Sequence, residues 1–275
     1  RELVQAIGRG GEMPSAKGTI RFAPTRSYAQ LVGTGVNAMP VSTPHGHSSN
    51  TVVTLGERLF LKSYRRMQKG INPEVEIGRY LTEVAQFANC VPLAGSVEYV
   101  EPDGTVTSLA ILQAYAHNQG DSWTYTLEYV ARFLDTHRAN VTAAPDVHGA
   151  YLALIQTLGL RTAELHVAFA RKTGDLAFDP EVASAQDFTQ WKQCVREEAA
   201  GALELLAQRA SQLPPAVAVE ARALLARRES LLTRIDALPA AAGRVLKTRH
   251  HGDYHLGQVL LSRNDFIIID FEGEP

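Results

Sequence analysis

The order of strand and helix signals predicts an α+β fold in two lobes, with a β-rich first part and a mainly helical second part. Two hairpin signals flank one helix over residues 51–113, and long helical stripes of apolar residues follow. Strand signals return only near the end, at 244–248, 259–261 and 266–269. Because strands and helices do not alternate along the chain, the pattern argues against a parallel βαβ sheet.

The first 50 residues are rich in Gly, Pro, Ser and Thr, with short apolar segments between them. Two of these segments, TIRFA (19–23) and YAQLVG (28–33), favour short strands in an open β-layer. We therefore expect residues 1–50 to form a β-rich cap subdomain. A β-rich lobe with its hinge should follow over 51–116, and a helical lobe, incomplete at its end, over 117–275.

Each hairpin signal consists of two apolar segments joined by turn residues. The first turn is Gly56-Glu57 and the second contains Pro102-Asp103-Gly104. The four strands predicted around these turns span residues 51–55, 58–64, 96–100 and 105–112.

A helix is predicted between the two hairpins. Asn72 suits an N-cap, and Pro73 suits the first helical position. An apolar face follows at helical spacing, formed by Ile77, Tyr80, Leu81 and Val84. We expect the helix to begin at Pro73.

Composition limits the function. The 27 basic and 29 acidic residues nearly balance, which argues against a dedicated nucleic-acid binder. Cys90 and Cys194 are too far apart for a metal knuckle or a disulfide framework, and they favour a reducing, cytoplasmic compartment. Prolines and glycines interrupt the uncharged run 27–56, and no secretory leader is visible, so we expect no membrane segment.

The densest group of reactive side chains lies in HHGDYHLGQ (250–258), and an apolar strand ending in Asp270 follows it. A carboxylate at the end of a buried strand is costly unless it is paired or binds a cation. Phosphoryl transfer requires a carboxylate that positions the attacking hydroxyl, and oxygen ligands that hold Mg²⁺ against the ATP phosphates. Asp253 suits the base, and Gln258 and Asp270 suit the metal ligands.

Lys62 lies in a predicted strand whose two faces both carry large apolar groups. It could reach nucleotide phosphates, steadied by a carboxylate of the next helix, either Glu76 or Glu74. The alternative is a surface lysine whose aliphatic stem covers apolar neighbours.

The polar loop HGHSSN (45–50) precedes the first predicted hairpin. If Lys62 binds phosphates, this loop would fold over them and contribute hydroxyl groups and backbone amides. The expected phosphate contacts are Ser49, Asn50 and Thr51.

Two motif blocks carry a resemblance to a known family. HGDYHLGQ (251–258) followed by IIIDFEGEP (267–275) resembles the catalytic loop and metal-binding motif of bacterial maltokinases, which belong to the protein-kinase-like group that includes the aminoglycoside phosphotransferases. Residues 49–83 resemble the amino-terminal lobe of that family, and 112–123 resemble the segment just past its hinge. Relatives that act on aminoglycosides, choline or homoserine usually have Asn where Gln258 stands and lack the DFEGEP string.

The resemblance implies a two-lobed protein-kinase-like fold and an ATP-dependent sugar-1-kinase. The implied reaction transfers the γ-phosphate of ATP, with Mg²⁺, to the anomeric hydroxyl of maltose, giving maltose 1-phosphate for α-glucan synthesis. Part of the sugar site is expected beyond Pro275, and a start at Arg1 without Met would suit a form fused behind a trehalose synthase.

The family's functional residues transfer by motif matching. Asp253 is the base, Gln258 and Asp270 are the Mg²⁺ ligands, and Lys62 binds the phosphates. Glu76 is the expected ion-pair partner of Lys62, with Glu74 as second choice. The supporting residues of the motifs and the residues expected to line the adenine pocket are His251, Glu272, Gln113 and Tyr115.

Two rival functions remain open. A metal-dependent hydrolase could use His251, Asp253, His255 and Asp270 around zinc or iron, because imidazole-rich sites suit these metals. It would leave Lys62 and Gln258 unexplained. A kinase-like scaffold without activity is the second rival, and an intact set of base, metal ligands and lysine argues against it.

Overall fold

The computed structural model describes residues 1–44, 50–139, 148–238 and 245–273. The chain divides into two compact units. Unit 1 comprises Arg1–Asp175 and Arg249–Pro275, and unit 2 comprises Leu176–Thr248. The subdomain boundaries expected from the sequence remain a prediction.

Unit 1 contains a seven-stranded sheet in which every neighbouring pair is antiparallel. Its strands are β1 (Gly11–Ser15), β2 (Gly18–Pro24), β3 (Val41–Ser42), β4 (Thr51–Leu55), β5 (Leu59–Ser63), β6 (Leu93–Val100) and β7 (Val106–Ala114). Their order across the sheet is β1-β2-β6-β7-β5-β4-β3. Both predicted hairpins, β4–β5 and β6–β7, are confirmed.

Helices dominate the second part of the chain, which confirms the α+β fold class. Unit 1 contains α1 (Glu2–Arg9), α2 (Tyr28–Val32), α3 (Pro73–Glu83), α4 (Ser122–Ala139) and α5 (Gly149–Phe169). Unit 2 contains α6 (Ala185–Arg209), α7 (Pro215–Leu225), α8 (Arg228–Asp236) and the short pair β8 (Glu181–Val182) and β9 (Leu246–Lys247). In the described ranges, no helix has the length and apolar composition needed to cross a membrane.

The segment YAQLVG was expected to be a strand but forms α2 instead. Its residue Val32 is buried with Val4 and Ile7 of α1 in the cluster that covers one face of the sheet. The hydroxyl of Tyr28 donates a hydrogen bond to the carbonyl of Val4, which ties α2 to α1. The segment therefore covers the sheet, and a short apolar run alone does not distinguish that role from strand pairing.

Helix α3 begins at Pro73 as predicted, and the side chain of Asn72 caps it by accepting a hydrogen bond from the backbone N–H of Glu74. The apolar face expected from the sequence is wrong at one position. Val84 is exposed because the helix ends at Glu83, so Val84 lies beyond the packed face.

The two faces of β5 contact different cores. Leu61 packs in the cluster beneath α1, whereas Tyr64, just past the end of β5, packs with Val75 of α3 and Ile111 of β7. Lys62 lies opposite Ile111 in the sheet register. Because side chains alternate between the faces of a strand, Lys62 points toward the face that α3 covers.

A separate hairpin, formed by β10 (Val259–Ser262) and β11 (Asp265–Ile268), packs against α5 through Leu158, Leu261 and Phe266. The backbone N–H of Ile268 donates a hydrogen bond to the carbonyl of Asn89, which joins the hairpin to the segment before β6. Gln258 directly precedes β10 and Asp270 follows β11, so the hairpin brings these two residues together.

Candidate active site

Lys62 lies at the centre of a group of three carboxylates. Its Nζ is 2.9 Å from Glu74 Oε2, 2.9 Å from Asp270 Oδ1 and 2.6 Å from Glu272 Oε1. The lysine is buried, with 8% of its surface exposed. A surface lysine with a solvated ammonium group is therefore excluded.

The prediction that Glu76 pairs with Lys62 is wrong. Glu74 makes that ion pair, and Glu76 instead lies 3.0 Å from the guanidinium of Arg249. Residues two apart on an α-helix point about 200° apart, so only one of them can face β5. The start of α3 at Pro73 directs Glu74 inward, where the hydroxyl of Tyr64 also donates a hydrogen bond to it at 2.9 Å.

Burial and charge act in opposite directions on this group. Burial lowers the pKa of Lys62, but the attraction of Glu74, Asp270 and Glu272 outweighs it, so the pKa lies above its ordinary value. The ammonium group therefore stays charged at neutral pH. Burial raises the pKa of Glu74, and the pairing with Lys62 offsets only part of that shift.

Gln258 and Asp270 lie side by side. The amide Nε2 of Gln258 donates a hydrogen bond to Asp270 Oδ2 at 3.1 Å. Asp270 has a φ of 62°, in the left-handed region that aspartate tolerates better than most residues. This backbone turn at the end of β11 directs its carboxylate back toward both Lys62 and Gln258.

The donor set suits a divalent cation. Three carboxylates surround one ammonium group, so the cluster carries surplus negative charge, and Glu74, Asp270 and Glu272 offer oxygen atoms within 4.8 Å of one another. Carboxylate and amide oxygens are the ligands that Mg²⁺ prefers. Asp270 belongs to this group, and Gln258 lies next to it.

His251 shapes the loop that carries Asp253. Its Nε2 donates a hydrogen bond to the carbonyl of Ile269 at 2.8 Å, and its Nδ1 accepts one from the backbone N–H of Asp253 at 3.4 Å. The ring packs on Phe271 with the centroids 4.6 Å apart. Burial lowers the pKa of His251, so the imidazole is neutral at neutral pH. Its two hydrogen bonds connect the loop of Asp253 to the end of β11.

Gly252 allows the two motif blocks to approach each other closely. It has a φ of +93°, and a Cβ at this position would lie 2.7 Å from the Cα of Gly273. Any larger residue at position 252 would force the HGD loop away from the segment that follows Asp270.

A cavity of about 360 Å³ extends from Lys62 along the sheet. Its walls include Gln113, Tyr115 and Ala116, at and just past the end of β7, with Leu260 and Ile268 of the β10–β11 hairpin. Its lining is largely apolar but includes Lys62, Glu74 and Asp270, a combination suited to a flat ring joined to a charged group.

Comparison with known proteins identifies the group to which the chain is related. The sequence profile of the phosphotransferase enzyme family, APH, matches residues 41–273. This chain belongs to the phosphotransferase enzyme family. The family confirms the protein-kinase-like part of the expected resemblance.

Two curated relatives of this chain are glucosamine kinases. The chain is 25% identical to the one from Mycolicibacterium smegmatis, covering 93% of this chain and 62% of that protein. It is 26% identical to the one from Streptacidiphilus jiangxiensis, covering 99% of this chain and 55% of that protein. The chain therefore spans less than two thirds of the length of either relative.

Solved structures support the two-lobed fold of this chain. A glucosamine kinase in complex with glucosamine, ADP and inorganic phosphate superposes with a TM-score of 0.60 at 22% identity, covering 97% of this chain and 64% of that one. A second crystal form of a glucosamine kinase gives a TM-score of 0.59 at 23% identity, with 97% and 65% covered.

The loop expected to contact phosphates is only partly described. Ser49 lies outside the described residues, as do His45 and His47. Asn50 is buried and its amide donates a hydrogen bond to Glu272 Oε1 at 3.2 Å. Thr51 is exposed, and its hydroxyl accepts a hydrogen bond from Arg65 Nε at 3.1 Å.

The geometry disfavours the metal-dependent hydrolase. Both ring nitrogens of His251 are engaged in hydrogen bonds, and Nδ1 of His255 accepts one from the backbone N–H of Gly257. Within the part of the chain that the structure describes, the one group of at least three His, Cys, Asp or Glu side chains arranged for a metal is Glu74, Asp270 and Glu272. That group contains no imidazole.

Several residues around the site were not predicted from the sequence. Glu74 was a second choice, and Tyr64 was seen only as an apolar strand residue. Leu260 and Ile268 were recognised as strand residues but not as walls of the cavity. The period-two alternation of β10 could have identified Leu260, because it places this residue on the face opposite Leu261; Ile268 lies on the same face as Leu261 and Phe266, so alternation does not distinguish it.

Proposed function

We propose that this chain is the ATP-binding and catalytic part of a sugar kinase that transfers the γ-phosphate of ATP to a hydroxyl group of a small sugar. The observation that carries the proposal is Lys62, buried in contact with Glu74 and Asp270 in the lining of a largely apolar cavity. This arrangement matches what nucleotide phosphates and an adjacent flat base require.

Each residue of the site has a chemical role in this proposal. The carboxylate of Asp253 orients the sugar hydroxyl and accepts its proton as the new O–P bond forms. The bond between the γ-phosphorus and the bridging oxygen breaks, and ADP leaves with the electron pair. Lys62 neutralises phosphate charge, and the cavity around Gln113 and Tyr115 takes the adenine. Gln258 and Asp270 would hold a magnesium ion, which neutralises phosphate charge when it is bound.

Two sugars are candidate acceptors. Glucosamine is the first, because two curated relatives that match most of this chain are glucosamine kinases. Maltose, phosphorylated at its anomeric hydroxyl, is the second, because the HGDYHLGQ and DFEGEP blocks resemble those of maltokinases. Association with a trehalose synthase belongs to the maltose alternative.

Phosphorus NMR of the reaction products tests the proposal. The protein is incubated with ATP and Mg²⁺ together with glucosamine, maltose or glucose, beside an Asp253→Asn control. We expect a sugar phosphate signal whose coupling pattern identifies the esterified carbon, and we expect it to disappear in the control. Steady-state kinetics with each sugar then identifies the substrate as the acceptor with the highest kcat/KM.

Other outcomes would point to the rival functions. Nucleotide binding without transfer to any sugar, measured by calorimetry, would favour the scaffold. Hydrolytic activity that requires zinc and no nucleotide would favour the metal-dependent hydrolase and overturn the kinase proposal.

A further inference from the structure

His255 lies between two groups of the proposed reaction but has no part in it so far. Its Nδ1 accepts a hydrogen bond from the backbone N–H of Gly257 at 3.0 Å. Its Nε2 lies 3.6 Å from Oδ2 of Asp253. One imidazole therefore contacts the carboxylate of the proposed base and the turn that carries Gln258.

The hydrogen bond from Gly257 determines where the ring proton lies. A neutral imidazole has one N–H donor and one acceptor nitrogen. Because Nδ1 accepts a hydrogen bond, the proton of the neutral ring is on Nε2, which faces Asp253. His255 thus presents a donor to the carboxylate, and in this form it cannot take a proton from it.

The ring of His255 packs against the turn that follows it, although about half of the side chain is exposed. A Cβ on Gly257 would lie 2.7 Å from Cε1 of His255, so the ring lies directly against the backbone of that turn. The turn is a short 3₁₀ helix, Leu256–Gln258, for which His255 is the N-cap. The backbone N–H of Gln258 also donates a hydrogen bond to the carbonyl of His255 at 2.9 Å.

We propose that His255 is a positioning residue for phosphoryl transfer, a role that rests on the function proposed above. Through Nε2–H it orients the carboxylate of Asp253, and through Nδ1 it fixes the turn that presents Gln258. The contact of 3.6 Å is longer than a hydrogen bond, as is common for catalytic groups before the substrate is bound. This role differs from that of His251, whose Nε2 is held by Ile269.

Two amide substitutions separate the two contacts of His255. In His255→Asn the side-chain oxygen can replace Nδ1, so the turn keeps its acceptor while Asp253 loses its donor. In His255→Gln the amide nitrogen can replace Nε2, so Asp253 keeps a donor while the turn loses its acceptor. His255→Ala removes both contacts, and His250→Asn, at an exposed neighbouring position, is the matched control.

The expected results follow from this division. His255→Asn should keep the melting temperature of the wild type and lower kcat about tenfold, with the KM for ATP nearly unchanged. His255→Gln should lower the melting temperature and keep more of kcat than His255→Asn does. His255→Ala should lower both the melting temperature and kcat, and His250→Asn should match the wild type in both.

A readout independent of activity is the ¹⁵N spectrum of the histidine rings, which distinguishes Nε2–H from Nδ1–H. We expect the Nε2–H form for His255, and the Nδ1–H form would overturn the proposal. Wild-type kcat in His255→Asn would also overturn it, because the contact with Asp253 would then have no effect. If the wild type transfers no phosphate to any sugar, the proposed function itself fails, and the positioning role fails with it.

Discussion

The three carboxylates around Lys62 depend on it to different degrees. The side chain of Glu74 is 4% exposed, whereas those of Asp270 and Glu272 are 36% and 28% exposed. A buried carboxylate that loses its cation is costly, while a partly exposed one is solvated by water. Glu74 therefore determines where the ammonium group lies, and Lys62 can exchange its contacts with the other two carboxylates for contacts with phosphate oxygens.

Replacing Glu74 should impair the site more than replacing Glu76. We expect Glu74→Gln to lower kcat/KM for ATP about tenfold or more, because Lys62 loses its buried partner and the phosphates lose a fixed lysine. Glu76→Gln, the matched control, removes a partly exposed pair with Arg249 and should change kcat/KM about twofold or less. Steady-state kinetics with varied ATP measures both. Equal losses would contradict the assignment of Glu74.

The two cysteines should differ in reactivity. Burial raises the pKa of Cys90 to about 12, whereas Cys194 is exposed. The thiolate is the nucleophile, so at pH 8 only a very small fraction of Cys90 is reactive, and its burial also restricts access. We expect iodoacetamide to label Cys194 alone in the folded protein and both residues in denaturant. Mass spectrometry of the peptides measures this, and rapid labelling of Cys90 in the folded protein would contradict it.

Among the elements, α3 links local sequence to the site most directly. Its first turn carries Glu74, and its start is fixed by Asn72 and Pro73. The hydrogen bond from the backbone N–H of Glu74 to the side chain of Asn72 is 2.8 Å long. The cap therefore holds the same residue that pairs with Lys62.

Loss of the cap should destabilise the protein moderately. We expect Asn72→Ala to lower the free energy of unfolding by about 1 kcal/mol, and Asn72→Ser to retain most of it, because serine also accepts the hydrogen bond. Urea unfolding measures the difference. The same change in both variants would indicate that the side chain of Asn72 has a role other than capping.

Elements whose signals are local could be predicted from the sequence. The N-cap and Pro73 predicted the start of α3, and the turn residues predicted the hairpins β4–β5 and β6–β7. The helix over YAQLVG was missed because its conformation depends on packing against α1 and the sheet, which is a tertiary effect. The same limit explains why Glu76 was preferred to Glu74 as the partner of Lys62, since the sequence does not show which side of α3 faces β5.

At the scale of the whole molecule, the candidate site belongs to one compact unit. Lys62, Glu74, Asp253, Gln258 and Asp270 all lie in unit 1, which is formed from two separate stretches of the chain. Unit 2 is the intervening stretch, 176–248. Ligand binding at the site therefore stabilises unit 1 directly.

Hydrogen exchange with and without ADP and Mg²⁺ should reveal this difference between the units. We expect protection in β5, in residues 113–116 and in the β10–β11 hairpin, and none in α7 of unit 2. At a ligand concentration one hundred times Kd, the stabilisation should be about 2.7 kcal/mol for amides that exchange through unfolding of unit 1. Protection confined to unit 2 would contradict the location of the nucleotide site.

The close approach of Gly252 to Gly273 constrains how this chain can be recombined with its relatives. The two glycines belong to separate motif blocks, and the space at Gly252 is limited by the backbone of Gly273. A chimera that takes the HGD loop from one parent and the DFEG segment from another will keep the site only if both parents hold these backbones at the same separation. The two blocks therefore form one unit of exchange, and crossovers should be placed outside residues 250–273.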